Sequence, residues 1–135
     1  MSTIAVSVDT PRYVLMEGNT RIGPRMATTG LEGSGSPIYG FSAPAAYERF
    51  RANSEQALTP YPLVKFYLRN RMDEPGGNTE LVVSDAVGPR DNTVHAVTVA
   101  AVLAALEAGT TRMPAECALE FDPQDDAYRI LGPTV

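Results

Sequence analysis

The chain has 135 residues, a mass of 14.5 kDa, and 44% apolar against 20% charged residues. That is enough for one hydrophobic core, and it excludes fibrous and disordered classes. The formal net charge of −5 and pI near 4.8 repel polyanions, which argues against general binding of nucleic acid or anionic membranes. One cysteine and one histidine are too few for an intrachain disulfide or a structural zinc site, so the expectation is a cytoplasmic protein without metal or cofactor.

The opening MSTIAVSVDT lacks the basic flank and long apolar core of a signal peptide. Ile4, Val6 and Val8 alternate with small or polar residues, the period-2 pattern of a strand with one buried face. Tyr13 to Met16 predicts a second strand. The turn residues Glu17-Gly18-Asn19 return it to a short arm at Arg21 and Ile22.

Periodicity then vanishes. A Gly/Ser-rich loop at about 25–42 holds Gly30, Gly33, Gly35 and Gly40, with a mobile tip expected around Gly35. It is not a phosphate cradle of known type, because no Gly-Lys-Ser/Thr ending and no GxGxxG spacing are present. Ser42 reads as an N-cap and Pro44 as a first-turn residue, starting an amphipathic helix over about 43–58 that Thr59-Pro60 stops.

In PLVKFYLRNRM, Val64, Phe66, Leu68 and Met72 fall on one side of an alternation. Lys65, Tyr67, Arg69 and Arg71 fall on the other, which predicts a strand. The turn chemistry of DEPGGN and the apolar TELVVSDAV then predict a hairpin partner. After GPRDN, the run TVHAVTVAAVLAALEAG reads as a nearly all-apolar helix over about 92–108, with Gly109 as its C-terminal stop. Cys117, Leu119 and Phe121 predict a strand, Asp122 to Asp126 a loop, and Tyr128 with Ile130 a last strand. The sum is one α+β domain spanning 1–135. Its mostly antiparallel or mixed sheet has about five or six strands, with the two helices packed on one face.

The strongest candidate site is the polar junction between strand and central helix. Asp85, Arg90, Asp91, Asn92 and His95 gather there, where strand ends and helix N-termini favour anions. Arg90 offers a bidentate clamp for a carboxylate or phosphate, and Asp85 could orient His95. The bland reading of the same residues is an N-cap at Asp91 or Asn92, an ordinary turn and a satisfied histidine. No catalytic residue is assigned.

The row Lys65, Tyr67, Arg69 and Arg71 is a second candidate, as an interaction face for an acidic protein or, with its lone aromatic, for single-stranded nucleic acid. The acidic loop at Asp122, Asp125 and Asp126 lacks the length and glycine of a calcium loop. Two functions are therefore expected to compete. One is a non-catalytic protein acting through protein contact, as a homo-oligomer that buries the apolar surplus of the central helix. The other is a small anionic-ligand-binding protein or enzyme using the junction at 85–95.

Overall fold

A computed structural model describes residues 6–27, 37–75 and 80–133. Its elements in chain order are β1 (Ser7–Asp9), β2 (Tyr13–Glu17), β3 (Thr20–Arg21), β4 (Ile38–Gly40), α1 (Pro44–Ala52), β5 (Thr59–Pro62) and α2 (Lys65–Met72). They continue with β6 (Leu81–Ser84), β7 (Thr93–Thr98), α3 (Val99–Ala108), β8 (Arg112–Pro114), β9 (Cys117–Asp122) and β10 (Ala127–Pro133). The domain is α+β, as its sequence leads one to expect. A five-stranded sheet runs in the order β10-β9-β7-β6-β4, antiparallel except for the parallel pair β4–β6. A three-stranded sheet, β3-β2-β5, joins it where Tyr13 and Phe41 exchange backbone hydrogen bonds. β1 and β8 form a two-stranded ribbon.

Side chains alternate across a strand, so each sheet face collects every second residue. On one face Val82 of β6 and Val97 of β7 pack with Val99, Val102 and Leu103 of α3 and with Leu68 of α2. On the other, Val83 and Ala96 pack with Tyr39, Phe41, Phe50, Leu119 and Tyr128. The helices therefore lie on both faces, α2 and α3 on one and α1 on the other, where the sequence reading put them on one. The sequence also missed β4, β5 and β8, each of which is four residues or fewer.

The largest correction concerns Lys65 to Met72, which is helical. Val64, Leu68 and Met72 are spaced four apart, so the apolar alternation satisfies a helical stripe as well as a strand face. Composition decides between the two. No β-branched residue occurs from Lys65 to Met72, lysine, leucine, arginine and methionine favour helix, and Arg69 and Arg71 sit favourably in its last turn. The hairpin expected between this segment and β6 does not form. β6 pairs instead with β4 and β7.

The second correction splits the central stretch. Residues 93–98 are the middle strand of the five, and the helix begins only at Val99. β-branched Thr93, Val94, Val97 and Thr98 favour the strand, and alanine-rich VAAVLAALEA favours the helix. Buried strands with cover on both faces read as unbroken apolar runs, which hides the boundary. Thr98 marks it: its Oγ1 accepts the Ala101 N–H at 3.2 Å, so Thr98, and neither Asp91 nor Asn92, is the N-cap. At the far end Gly109 takes φ +73°, as a left-handed stop requires.

α1 is shorter than expected and ends at Ala52, with Ala43 at its N-cap and Pro44 in the first turn. Leu58 still joins the Phe50 cluster, but from a non-helical segment. The hairpin of β2 and β3 turns at Gly18 with φ +60°, and its two-residue return arm is Thr20–Arg21, one residue earlier than the expected Arg21 and Ile22. The expected mobile tip around Gly35, the turn at Gly76-Gly77-Asn78 and the contribution of Ile4 lie outside the described residues.

Candidate functional site

The junction residues do not converge on one point. Asp85 stands just past β6 with φ +52°, a left-handed conformation that aspartate tolerates. Its Oδ1 accepts the Ser42 N–H at 2.8 Å and its Oδ2 accepts the Ser42 hydroxyl at 2.7 Å. Arg49 of α1 donates to the Asp85 carbonyl. Asp85 thus ties the entrance of α1 to the end of β6, and its carboxylate is not on His95. That histidine lies within β7, in register with Ser84 on one side and Ala118 on the other. It alternates with Val94 and Ala96, so it faces the α3 side of the sheet, away from Phe50 and Tyr39. Ser84 itself donates to the Asp9 carbonyl at 3.1 Å.

Arg90 and Asp91 do lie together, on the wall of a cavity of about 620 Å³. The size falls within the usual range for small-molecule pockets. Neither Asp85, Asn92 nor His95 lines it. The cavity opens on the α1 face, where the aromatic cluster reaches the edge of its packing. Tyr39 of β4, Phe50 of α1 and Tyr128 of β10 form the floor. Asn53 and Gln56, just past α1, and Val87 and Pro89, just past β6, supply the sides. Arg25 and Asp126 complete the wall on the β10 side.

Most polar groups of this wall have partners within the protein. Arg90 grips Asp126 through Nε at 3.0 Å and Nη2 at 3.4 Å, and both side chains are exposed. Asp91 closes the turn, its Oδ2 accepting the Val87 N–H at 3.1 Å. The Asp91 carbonyl accepts the Tyr128 hydroxyl at 2.6 Å. Asn53 donates to the Val87 carbonyl at 3.0 Å, fixing the end of α1 to the turn after β6. Gln56 donates to Glu17 at 2.9 Å. Burial, then the charge of Asp91, pushes the Tyr128 phenol up to about 12. Tyr39 is also raised, by burial first and then by Tyr128 and Asp91. Both phenols therefore remain neutral donors at physiological pH.

The basic row of Lys65, Tyr67, Arg69 and Arg71 is dispersed by the helical geometry of α2. Arg71 turns inward onto Glu80, donating through Nη2 at 2.6 Å and Nε at 3.2 Å. Tyr67 lies beneath Arg21, whose guanidinium carbon is 3.7 Å from the ring centroid. Arg69 pairs with Glu107 of α3 at 2.8 Å, leaving Lys65 as the member without an ion-pair partner among the described residues. In the acidic loop Asp122 and Asp125 are held by Arg129, and Asp126 by Arg90. The Arg129 contact holds the Asp122 carboxyl below the usual carboxylate range.

Sequence reasoning found Arg90 and Asp91 because a polar turn after an apolar strand is a frequent ligand position. It missed Tyr39, Tyr128 and Asn53. Tyr39 sits in a segment read as loop, and nothing local links it to Tyr128 across the sheet. Comparison with family models, with curated proteins and with solved structures finds no match for this chain.

Proposed function

We propose that the protein binds a small molecule in the cavity beside Arg90 and Asp91. One observation carries the reading: a cavity of about 620 Å³ with a buried aromatic floor and a polar rim drawn from four separate parts of the chain. Such a mixture, mostly apolar below with a few placed polar groups above, is the common form of a ligand site. The reading is of binding, with no reaction assigned. Its cytoplasmic setting is supported by a chain with the single cysteine Cys117.

A fragment library screened by two-dimensional NMR tests it. Fragments are expected to shift the amide signals of Gly88, Arg90 and Asp91, and to lose that effect in Val87→Trp, which places bulk at the cavity wall. Val87 is 39% exposed, so the substitution leaves the core intact. Shifts scattered over the surface, or unchanged by Val87→Trp, overturn the reading.

A second reading, protein contact as a homo-oligomer, keeps a different support from the one its sequence suggested. The apolar surplus of α3 is covered within the monomer by α2 and the sheet. What favours contact is Tyr61, Val64 and Phe66, which are 52, 43 and 71% exposed within six residues of one another. Light scattering on the wild type and Phe66→Ser separates the two readings. A dimer that Phe66→Ser dissolves supports contact, and a monomer at every concentration removes it. Among the described residues no helix is long and apolar enough to cross a membrane.

A further inference from the structure

Resting on the reading that the cavity holds a small molecule, we propose that its ligand is a small organic carboxylate with an apolar body. The Tyr39 hydroxyl recognises it at the floor and the Arg25 guanidinium at the mouth.

Tyr39 carries the argument. The residue is 3% exposed, its ring packed at 4.7 Å from Phe50 and 6.5 Å from Phe41. Its hydroxyl makes no hydrogen bond with any of the described residues, although it lies close enough to Tyr128 and Asp91 to feel both. Tyr128, its neighbour on the floor, has its own hydroxyl committed to the Asp91 carbonyl. A phenol at the bottom of a cavity, with no partner among the described residues, offers one donor to whatever enters. Because it stays protonated, it can donate to an oxygen of the ligand.

The rim favours a negative one. Arg25 lines the cavity with no ion-pair or hydrogen-bond partner for its guanidinium among the described residues. Two of the three carboxylates that line the cavity are engaged. Asp126 is neutralised by Arg90, and Asp91 accepts the Val87 amide. Glu55 is exposed at the rim, where solvent screens it. Ile22, Val87, Pro89 and Phe121 provide the apolar walls for the body of the ligand.

Benzoate, benzamide and benzylamine test this, since they share a ring and differ in charge. Each is titrated into the intact protein and followed by two-dimensional NMR, for wild type, Tyr39→Phe and Arg25→Gln. Benzoate is expected to bind tightest and to shift the signals around Arg90 and Asp91. Tyr39→Phe keeps the ring packing and is expected to weaken benzoate about five- to thirty-fold, the cost of leaving a buried acceptor unpaired. Arg25→Gln changes an exposed side chain and is expected to weaken benzoate about three- to tenfold while leaving benzamide unchanged.

If benzamide or benzylamine binds in the cavity as well as benzoate does, the carboxylate assignment is overturned while the cavity reading stands. Unchanged benzoate affinity in both variants overturns the assignment of Tyr39 and Arg25. If none of the three shifts a cavity signal, the inference falls together with the reading beneath it.

Discussion

The two faces of the five-stranded sheet differ in how they are closed. On the α3 face, aliphatic side chains from β6, β7, α2 and α3 interlock, with Val82, Val97, Val99, Val102 and Leu68 all at 0% exposure. On the α1 face, a short helix of nine residues brings one buried side chain, Phe50, onto an aromatic cluster. Two helices cover one side. One short helix leaves a gap past its C-terminal end, and the cavity lies in that gap. A face closed by aliphatic packing has been built beside one with a polar rim, so function is sought where the packing stops.

The sharpest way to break this comparison is to remove one anchor from each face. Phe50→Ala is expected to cost about 3–5 kcal/mol and Leu68→Ala about 2–4 kcal/mol, from lost burial plus the void left behind. Denaturant unfolding of both variants measures this. A cost below about 1 kcal/mol for Leu68→Ala would mean that α2 is not the cover of α3. The case for a second copy on that face would then return.

A smaller effect is expected where a charge is buried on the α2 side. Glu80 is 2% exposed and its only cationic contact among the described residues is Arg71, which is about one-third exposed. Glu80→Gln leaves a guanidinium partly in solvent, so a loss of about 1–3 kcal/mol is expected, below the full cost of orphaning a deeply buried charge. Thermal unfolding at low and high salt checks it. A loss that disappears in high salt would place the pair in solvent rather than in the core.

The α1 face should also show itself by its alkaline behaviour. Tyr39 and Tyr128 are raised by burial, and on the opposite side Tyr67 is raised by burial and by Glu80. The folded state then holds phenolic protons more tightly than the unfolded state. Stability is full below the ordinary tyrosine value of about 10 and falls as pH rises through the folded value, about 12 for Tyr128. Tyrosinate absorbance followed together with unfolding should show Tyr39 and Tyr128 ionising only with loss of structure. In Tyr39→Phe the alkaline decline is expected to be shallower. An identical decline would remove Tyr39 from the account.

The parts of this fold legible in the sequence are those set by local chemistry. Gly18 required the first hairpin turn, Gly109 the end of α3, and the aspartates from Asp122 the turn between β9 and β10. The illegible parts were decided by contacts distant in sequence or by patterns that fit two structures. Val64, Leu68 and Met72 suit a strand and a helix equally, and propensity was the better guide. The boundary at Thr98 was hidden because β7 is buried on both sides. Of the candidate site, Arg90 and Asp91 could be read from the turn after β6. The floor could not, because it depends on the parallel pairing of β4 with β6 and on β10 lying four strands away from Tyr39.

The smallest stability effect belongs to the residue most visible in the sequence. Arg90 and Asp126 are exposed by 72% and 54%, so their pair contributes little to folding, and Arg90→Ala is expected to lower stability by less than about 1 kcal/mol. Its consequence should appear elsewhere. Removing Arg90 frees the Asp126 carboxylate at the rim, adding uncompensated negative charge beside the place where the ligand's own is proposed to sit. Benzoate affinity should therefore fall in Arg90→Ala and recover in Arg90→Ala/Asp126→Asn, although neither change touches the Tyr39 donor. Recovery in the double variant identifies Arg90 as a counter-ion for the wall. A loss that persists makes Arg90 a direct ligand contact and moves the anion from Arg25 towards the turn after β6.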